Sequence, residues 1–172
     1  MIYTIGHSTL SAEAFLDLLV AHEIRQLADI RTIPKSRRHP QFVRDALDSS
    51  LAKHAIVYRH FPALGGLRKP RTDSINTAWQ NESFRGYADY MQTPAFEDGV
   101  ADLLTFAQNG GRTTVMCAEA VWWQCHRRLL SDALIVRGVP VLHILSASDP
   151  KPHELSAFAR PEGGKVIYPG LL

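Results

Sequence analysis

The spacing of hydrophobic and polar residues predicts strands that alternate with helices along the chain. Five apolar runs have the length of buried strands and lie at residues 1–5, 25–30, 56–60, 112–117 and 139–145. Segments with a helical spacing of apolar residues lie at 11–23, from Pro40 to Leu51, at 84–91, at 93–110 and in the stretch that ends at Gly138. The tail predicts a short helix near 153–159 and an extended piece near 165–168.

The alternation of strands and helices is typical of an α/β fold. It predicts a single three-layer domain over residues 1–172, with a mainly parallel central sheet and helices on both faces, in a Rossmann-like arrangement. In the common doubly wound strand order, the first and fourth strands are neighbours at the switch point, where ligands bind. The sequence alone does not determine that order.

Composition narrows the class of protein. The chain has 172 residues, of which 45% are hydrophobic and 21% are charged, as in soluble globular proteins. No apolar run approaches the roughly 18 residues of a membrane span, and the N-terminus lacks the pattern of a signal peptide. Two cysteines are too few for a secreted disulfide framework. We therefore expect a cytoplasmic protein without a membrane segment.

The charge is distributed unevenly. Residues 25–71 contain eleven Lys or Arg and three Asp, whereas the rest of the chain contains eight basic and fourteen acidic residues. A basic segment of this kind attracts phosphate groups, which predicts a phosphate-bearing small molecule or a nucleic acid as partner. The alternative is a solvated face that only maintains solubility.

The segment from Cys117 to Arg128 contains both cysteines and follows a predicted strand. With Cys125 as the origin of an ideal helix, His126 lies on the buried face at the mouth of the sheet, Arg127 lies at its flank and Arg128 points to solvent. A thiol near a helix N-terminus is acidified. At the strand end we favour functional roles for Cys117 and Glu119. Cys125 is as well explained as a packing residue under Trp122 and Trp123.

Two further strand ends carry polar groups. Gly6-His7-Ser8 predicts a tight turn that aims backbone amides at a ligand, with His7 available to move a proton. The alternative is a capping turn with a surface histidine. Asp29 and Arg31 share one face of a strand. They form either a structural ion pair, or an acid that orients His7 and an arginine that grips a phosphate.

The long loop after the third strand contains Gly65-Gly66, which predicts a hinge for a lid formed with residues 86–91. The alternative is a surface loop packed on its own aromatic residues. Trp122 and Trp123 fit either a homodimer surface or the core. The predicted substrate-binding residues are Gly6, Ser8, Arg31, Arg37, Gly65, Gly66 and Arg127.

A metal site is a second interpretation of the cysteine segment. Cys117, Cys125 and His126 are suitable soft ligands for zinc or iron, although seven residues between the cysteines is not a zinc-finger spacing. A phosphatase-type loop does not match, because the sixth residue after Cys117 is Trp123 rather than arginine. The sequence does not identify a cofactor.

Several short motifs occur together in this chain, namely Thr4-Ile-Gly-His-Ser8, Asp29-Ile-Arg31, Leu64-Gly-Gly66, Gly86-Tyr-Ala-Asp-Tyr-Met91, Cys117-Ala-Glu119 and Cys125-His-Arg127. In this order they resemble the bacterial and archaeal domain-of-unknown-function family 488, from residue 3 to about residue 145. The resemblance implies a Rossmann-like fold. It implies no activity, because the family has none established.

Three functional hypotheses follow from the sequence. The first is a hydrolase or transferase for a phosphorylated substrate. Arg31, Arg37 and Arg127 would hold the anion; His7, Asp29, Glu119 and His126 would assist catalysis; Cys117 would be a nucleophile or a polarisable neighbour. The second is a nucleic-acid-binding module without catalysis. The third is a metal or redox sensor built on Cys117 and Cys125.

Overall fold

The computed structural model describes residues 1–171, and Leu172, the last residue of the predicted domain, lies outside the described residues. The strands are β1 (Ile2–Gly6), β2 (Gln26–Asp29), β3 (Val57–His60), β4 (Thr113–Cys117), β5 (Val141–His143), β6 (Lys151–Pro152), β7 (Arg160–Glu162) and β8 (Lys165–Ile167). The helices are α1 (Ala12–Ala21), α2 (Arg44–Ala52), α3 (Glu82–Tyr90), α4 (Pro94–Gln108) and α5 (Arg127–Val136).

The central sheet has six strands in the order β3-β2-β4-β1-β5-β6. β1 to β5 are parallel and only the short β6 is antiparallel, which confirms the predicted mainly parallel α/β fold. β1 and β4 are neighbours, as in the common doubly wound order. The complete order differs from it, because β4 lies between β2 and β1.

Helices cover both faces of the sheet, which gives the three predicted layers. On one face, Phe15 of α1 and Leu47 of α2 belong to a core cluster that includes Met116 of β4. On the other face, residues of α3, α4 and α5 form a larger cluster with Val115 and Cys117. Successive residues of β4 therefore face opposite layers, as the alternation of side chains along a strand requires.

Local signals explain where most helices begin. The Ser11 hydroxyl accepts a hydrogen bond from the amide of Ala14 at 3.1 Å and caps α1. Thr93 caps α4, whose first residue is Pro94. The helix predicted to open at Pro40 begins later: residues 40–42 form a 3-10 turn, Val43 is extended, and α2 starts at Arg44.

The tail contains one wrong prediction. Residues 153–159 form an irregular path with a turn instead of the predicted helix, because buried Asp132 of α5 binds two of them: its Oδ1 accepts hydrogen bonds from His153 Nε2 at 2.7 Å and from the Ser156 amide at 3.1 Å. The extended piece predicted near 165–168 is confirmed as β8. Across residues 1–171, no helix combines the length and the hydrophobicity that crossing a bilayer requires.

Candidate functional site

A cleft of about 830 Å³ opens at the carboxyl edge of the parallel strands. Its walls come from the turns after β1 and β4, the basic loop after β2, the loop around Gly66 and the residues that precede α5. Eight of the site residues predicted from the sequence line it, namely His7, Ser8, Arg31, Gly66, Cys117, Glu119, Cys125 and His126. The edge of the sheet where ligands bind in open α/β folds is therefore concave here.

Cys125 and His126 form a hydrogen-bonded pair in this cleft. The Cys125 sulfur lies 3.5 Å from His126 Nδ1, and His126 Nε2 lies 3.0 Å from the carbonyl oxygen of Ile30. A carbonyl can only accept, so Nε2 carries a proton and Nδ1 is the nitrogen that exchanges a proton with the sulfur. The arrangement has the three parts of an activated nucleophile: a thiol, a base and a group that orients the base.

The two thiols differ in acidity. Burial opposes ionisation of Cys125, but hydrogen bonds with Cys117 and His126 and the charges of His126 and Arg127 outweigh it and hold the Cys125 pKa well below its usual value. Burial and the hydrogen bond to Cys125 raise the pKa of Cys117. Of the two thiols, Cys125 is thus the more acidic, whereas the sequence favoured Cys117 as nucleophile and left Cys125 as a packing residue.

Arg127 is completely buried, whereas an ideal helix places it at the flank of the buried face. Its Nη2 donates to the carbonyl oxygen of Glu119 at 2.6 Å and its Nη1 donates to Thr4 Oγ1 at 3.4 Å. Within residues 1–171, no carboxylate lies within ion-pair distance of this guanidinium. Its charge therefore acts on the cysteines, and the side chain is not among those lining the cleft.

Gly6 explains how Arg127 can reach the turn after β4. A Cβ atom at Gly6 would overlap the carbonyl oxygen of Glu119 and would lie 2.7 Å from its carbonyl carbon and 2.8 Å from Arg127 Nη2. The glycine predicted to bind substrate thus faces the protein's own backbone. The Glu119 side chain, by contrast, is exposed and lies at the rim of the cleft.

Asp29 and Arg31 form the buried ion pair that the sequence offered as one of two alternatives. Arg31 Nε donates to Asp29 Oδ1 at 2.9 Å and Nη2 donates to Oδ2 at 2.7 Å, and Tyr58 also donates to Oδ2 at 2.7 Å. Asp29 does not line the cleft, but Arg31 does. Among the described residues, Arg31 Nη1 is buried without a hydrogen-bond partner. Asp29 therefore fixes a cation that has a donor left for an anion.

His7 lies on the opposite face of the sheet from the Cys117 side chain. Its ring stacks on Phe42 with centroids 4.2 Å apart, and its Nδ1 donates to the Ser8 carbonyl oxygen at 2.9 Å. Burial lowers the His7 pKa from 6.5 to about 4, so the ring is neutral near pH 7. The two residues meet through the backbone, where the His7 amide donates to the Cys117 carbonyl at 3.0 Å.

Ser8 follows in a conformation that non-glycine residues rarely adopt, with φ at +47°. A residue in this conformation stores strain of order 1–3 kcal/mol, and such residues are concentrated at functional sites. Ser8 lines the cleft beside His7.

The basic wall of the cleft comes from the loop after β2. Lys35, Arg38 and His39 line the cleft together with Arg31. The sequence identified this loop as basic but selected Arg37, which is exposed and is not among the lining residues. The choice between neighbouring cations depends on which way an irregular loop turns, and no periodicity predicts that.

Gly65 and Gly66 serve close packing. A Cβ at Gly65 would lie 2.6 Å from Thr32 Oγ1, and one at Gly66 would lie 3.1 Å from His126 Nδ1. The loop is also anchored from α3, because Tyr87 donates to the Leu64 carbonyl at 2.9 Å. These contacts hold the loop against His126.

Arg128 is not the solvated surface residue that the ideal helix predicts. Its guanidinium lies 5.0 Å from the centre of the Trp79 ring, and its Nε donates to Ser156 Oγ at 3.2 Å. Trp122 stacks on His143 at 4.3 Å, whereas Trp123 is 44% exposed. One tryptophan thus packs inside the protein and the other faces outward.

The predicted metal ligands are occupied with other contacts. In the part of the chain that the structure describes, no three His, Cys, Asp or Glu side chains are gathered so that they could hold a metal ion. His126 uses one nitrogen for Ile30 and presents the other to Cys125.

The fold and the cleft define an α/β protein with a cysteine–histidine pair at the carboxyl edge of a parallel sheet. The family model described as "Domain of unknown function DUF488" matches residues 11–134, and the chain belongs to this family. The match includes the segment from Cys117 to Arg127 and confirms the resemblance found in the sequence. Searches of curated proteins and of solved structures found no match.

Proposed function

We propose that the protein is an enzyme that uses Cys125 as a nucleophile on a phosphate-bearing small molecule. One observation carries the proposal: Cys125 and His126 line the cleft, and the Cys125 sulfur, His126 and the buried Ile30 carbonyl form a connected hydrogen-bond chain. A thiolate paired with an oriented imidazole is the arrangement that cysteine nucleophiles require. The nucleophile is therefore reassigned from Cys117 to its neighbour.

The charge of the cleft supports an anionic substrate. Arg31, Lys35 and Arg38 lie on one wall, and the Arg31 guanidinium retains a donor without a partner among the described residues. A phosphate oxygen bound there would receive charge-assisted hydrogen bonds. A volume of about 830 Å³ also falls within the usual range for small-molecule sites.

The proposed reaction begins with the Cys125 thiolate and the His126 imidazolium. The sulfur attacks phosphorus, an S–P bond forms and the P–O bond to the leaving group breaks, while His126 gives its proton to the departing oxygen. His126 then takes a proton from water or from an acceptor hydroxyl. That oxygen attacks phosphorus, the S–P bond breaks and the thiolate returns. Water as acceptor makes the enzyme a hydrolase, and another hydroxyl makes it a transferase.

The test is turnover of a panel of phosphate monoesters and nucleotides by the wild type and by Cys125→Ser. We expect the variant to lose at least about 1,000-fold in rate, because the hydroxyl of serine is a far weaker nucleophile than a thiolate here. Lys35→Ala should raise KM, whereas Lys53→Ala should not, since Lys53 is exposed at the end of α2 and lies outside the cleft.

Two results would contradict the proposal. Turnover that survives Cys125→Ser would remove the nucleophile. Binding of a nucleic-acid oligomer that falls steeply with salt and is the same in Cys125→Ser would favour the non-catalytic alternative.

A further inference from the structure

We infer that Cys125 and Cys117 form a reversible disulfide when the protein meets hydrogen peroxide, so that the cleft contains a redox-controlled modification site. The inference rests on the thiolate of the proposed function and adds a regulation of the same residue. It assigns Cys117 a role of its own, as the thiol that resolves oxidised Cys125.

The two sulfurs are neighbours although eight positions separate the residues. Both cysteines are free, both are buried in the same core cluster, and both reach the wall of the cleft. Each thiol shifts the pKa of the other, so the two side chains lie within interaction distance. The Cys117 sulfur also lies 3.9 Å from the carbonyl oxygen of Glu119. Cys117 is the last residue of β4, and Cys125 lies in the short bend between the 3-10 turn of residues 122–124 and α5.

The environment selects Cys125 as the residue that peroxide oxidises first. Its sulfur accepts the Arg127 amide at 3.4 Å and lies beside His126. A thiolate reacts with peroxide, whereas a thiol does not react appreciably. Only 4% of Cys125 is exposed, but it lines an open cleft that a molecule as small as hydrogen peroxide can enter.

The chemistry balances in two steps. In the first, the Cys125 thiolate attacks one oxygen of hydrogen peroxide; an S–O bond forms, the O–O bond breaks, and hydroxide leaves and is protonated to water. Cys125 is then a sulfenic acid, oxidised by two electrons. In the second, the Cys117 sulfur attacks the Cys125 sulfur, an S–S bond forms, and the sulfenic oxygen leaves as water with the Cys117 proton.

The state of Cys117 suits the second step. Burial and the interaction with Cys125 raise the pKa of Cys117, so Cys117 reacts with peroxide more slowly than Cys125. Both side chains line the same cleft. A nearby resolving thiol protects a sulfenic acid from further, irreversible oxidation. The disulfide would remove the nucleophile of the proposed reaction until a thiol reductant restores it.

The sequence allows a direct assay. Tryptic cleavage after Arg112 and Arg127 releases residues 113–127, a single peptide that contains both cysteines. After hydrogen peroxide and alkylation of remaining thiols, we expect this wild-type peptide to be lighter than its reduced form by two hydrogen atoms. Reactive thiols should fall from two to none, and dithiothreitol should restore both.

Two variants separate the roles. In Cys117→Ser, Cys125 should proceed to a sulfinic or sulfonic acid, with two or three added oxygen atoms that dithiothreitol does not remove, because no thiol resolves the sulfenic acid. In Cys125→Ser, Cys117 should remain reduced under the same peroxide exposure. Met116 lies in the same peptide, so fragmentation must place any added oxygen on sulfur of cysteine or of methionine.

Alkylation by iodoacetamide below neutral pH distinguishes the two proposals. If Cys125 is alkylated rapidly but peroxide yields only oxygenated Cys125, or a disulfide between two chains, the redox inference is wrong and the nucleophile remains. If Cys125 is alkylated no faster than an ordinary thiol, both proposals are wrong, because each needs the thiolate.

Discussion

Replacing Gly6 with alanine tests the packing on which the cleft is built. The new Cβ would overlap the Glu119 carbonyl oxygen and lie 2.8 Å from Arg127 Nη2. The obstructing atoms at Glu119 belong to the backbone, so no side-chain rotation relieves the contact. Either β1 or the turn after β4 must move, and the hydrogen bond from Arg127 to Glu119 is weakened in both cases.

The magnitude follows from two terms. Overpacking of a close-packed site costs about 1–3 kcal/mol, and loss of a hydrogen bond from a charged group costs about 1.5–3 kcal/mol. We therefore expect Gly6→Ala to lower the free energy of unfolding by roughly 3–5 kcal/mol, a large part of the ~5–15 kcal/mol of a typical domain.

Urea unfolding followed by circular dichroism measures this change. The matched control is Gly138→Ala: a Cβ there meets nothing within 4 Å, but φ is +77°, so only the left-handed backbone penalty of about 1–2 kcal/mol applies. If Gly6→Ala is no more destabilising than Gly138→Ala, the contact between Gly6 and Glu119 does not constrain the fold and the reasoning fails.

Three further results are expected. Asp132→Asn should cost about 2–4 kcal/mol in urea unfolding, because all three partners of the buried carboxylate are donors. His126→Gln should raise the Cys125 pKa, because the hydrogen bond and the charge of His126 both lower it, and the pH dependence of iodoacetamide alkylation measures the change. Burial lowers the pKa of His7 from 6.5 to about 4 and that of His143 to about 3. Between pH 6.5 and pH 4 the unfolded chain therefore binds more protons than the folded protein. As the pH is lowered through this range, the free energy of unfolding should fall by roughly 1.4 kcal/mol per histidine for each pH unit.

Each of these results has a control and a contrary outcome. Asp149→Asn removes an exposed carboxylate and should change stability little, so equal losses would contradict the buried network. His54→Gln removes an exposed histidine and should leave the thiol pKa unchanged. His7→Gln should flatten the pH dependence of stability, and an unaltered slope would show that His7 does not titrate as described.

The strands were largely predictable, but their order was not. The predicted bounds of the first four strands lie within one residue of the structure, because short apolar runs between turns leave few alternatives. β4 pairs with both β1 and β2. The apolar runs are similar in character, so their pattern contains no information on which runs become neighbours. Pairing is decided by contacts between segments far apart in the chain.

The site was predicted in outline. The sequence favoured Cys117 as the nucleophile, whereas the contacts with His126 and with the Arg127 amide favour Cys125. A cysteine followed by histidine just before a helix is a signal for an acidic thiol, and the sequence contains it. The group that orients His126, however, is the Ile30 carbonyl from the loop after β2. The sequence contains no pattern that predicts a backbone acceptor 96 positions away from His126.

The burial of Arg127 shows the same limit. An ideal helix predicts the direction in which a side chain points from the helix axis. It does not predict whether solvent or protein lies in that direction. Arg127 is buried because Gly6 lets the turn after β4 approach β1, so that the guanidinium binds the Glu119 carbonyl. The position of one glycine thus decides whether a neighbouring cation meets solvent or protein.

The carboxylate of Asp132 connects the C-terminal segment of the chain to helix α5. Its two oxygens hold His153, Ser156 and Tyr168, all of which follow the exposed stretch 145–149. A protease that cut this stretch would therefore leave two fragments that stay associated, with the smaller one clamped to α5. Nicked protein should run intact on a sizing column and separate only in denaturant.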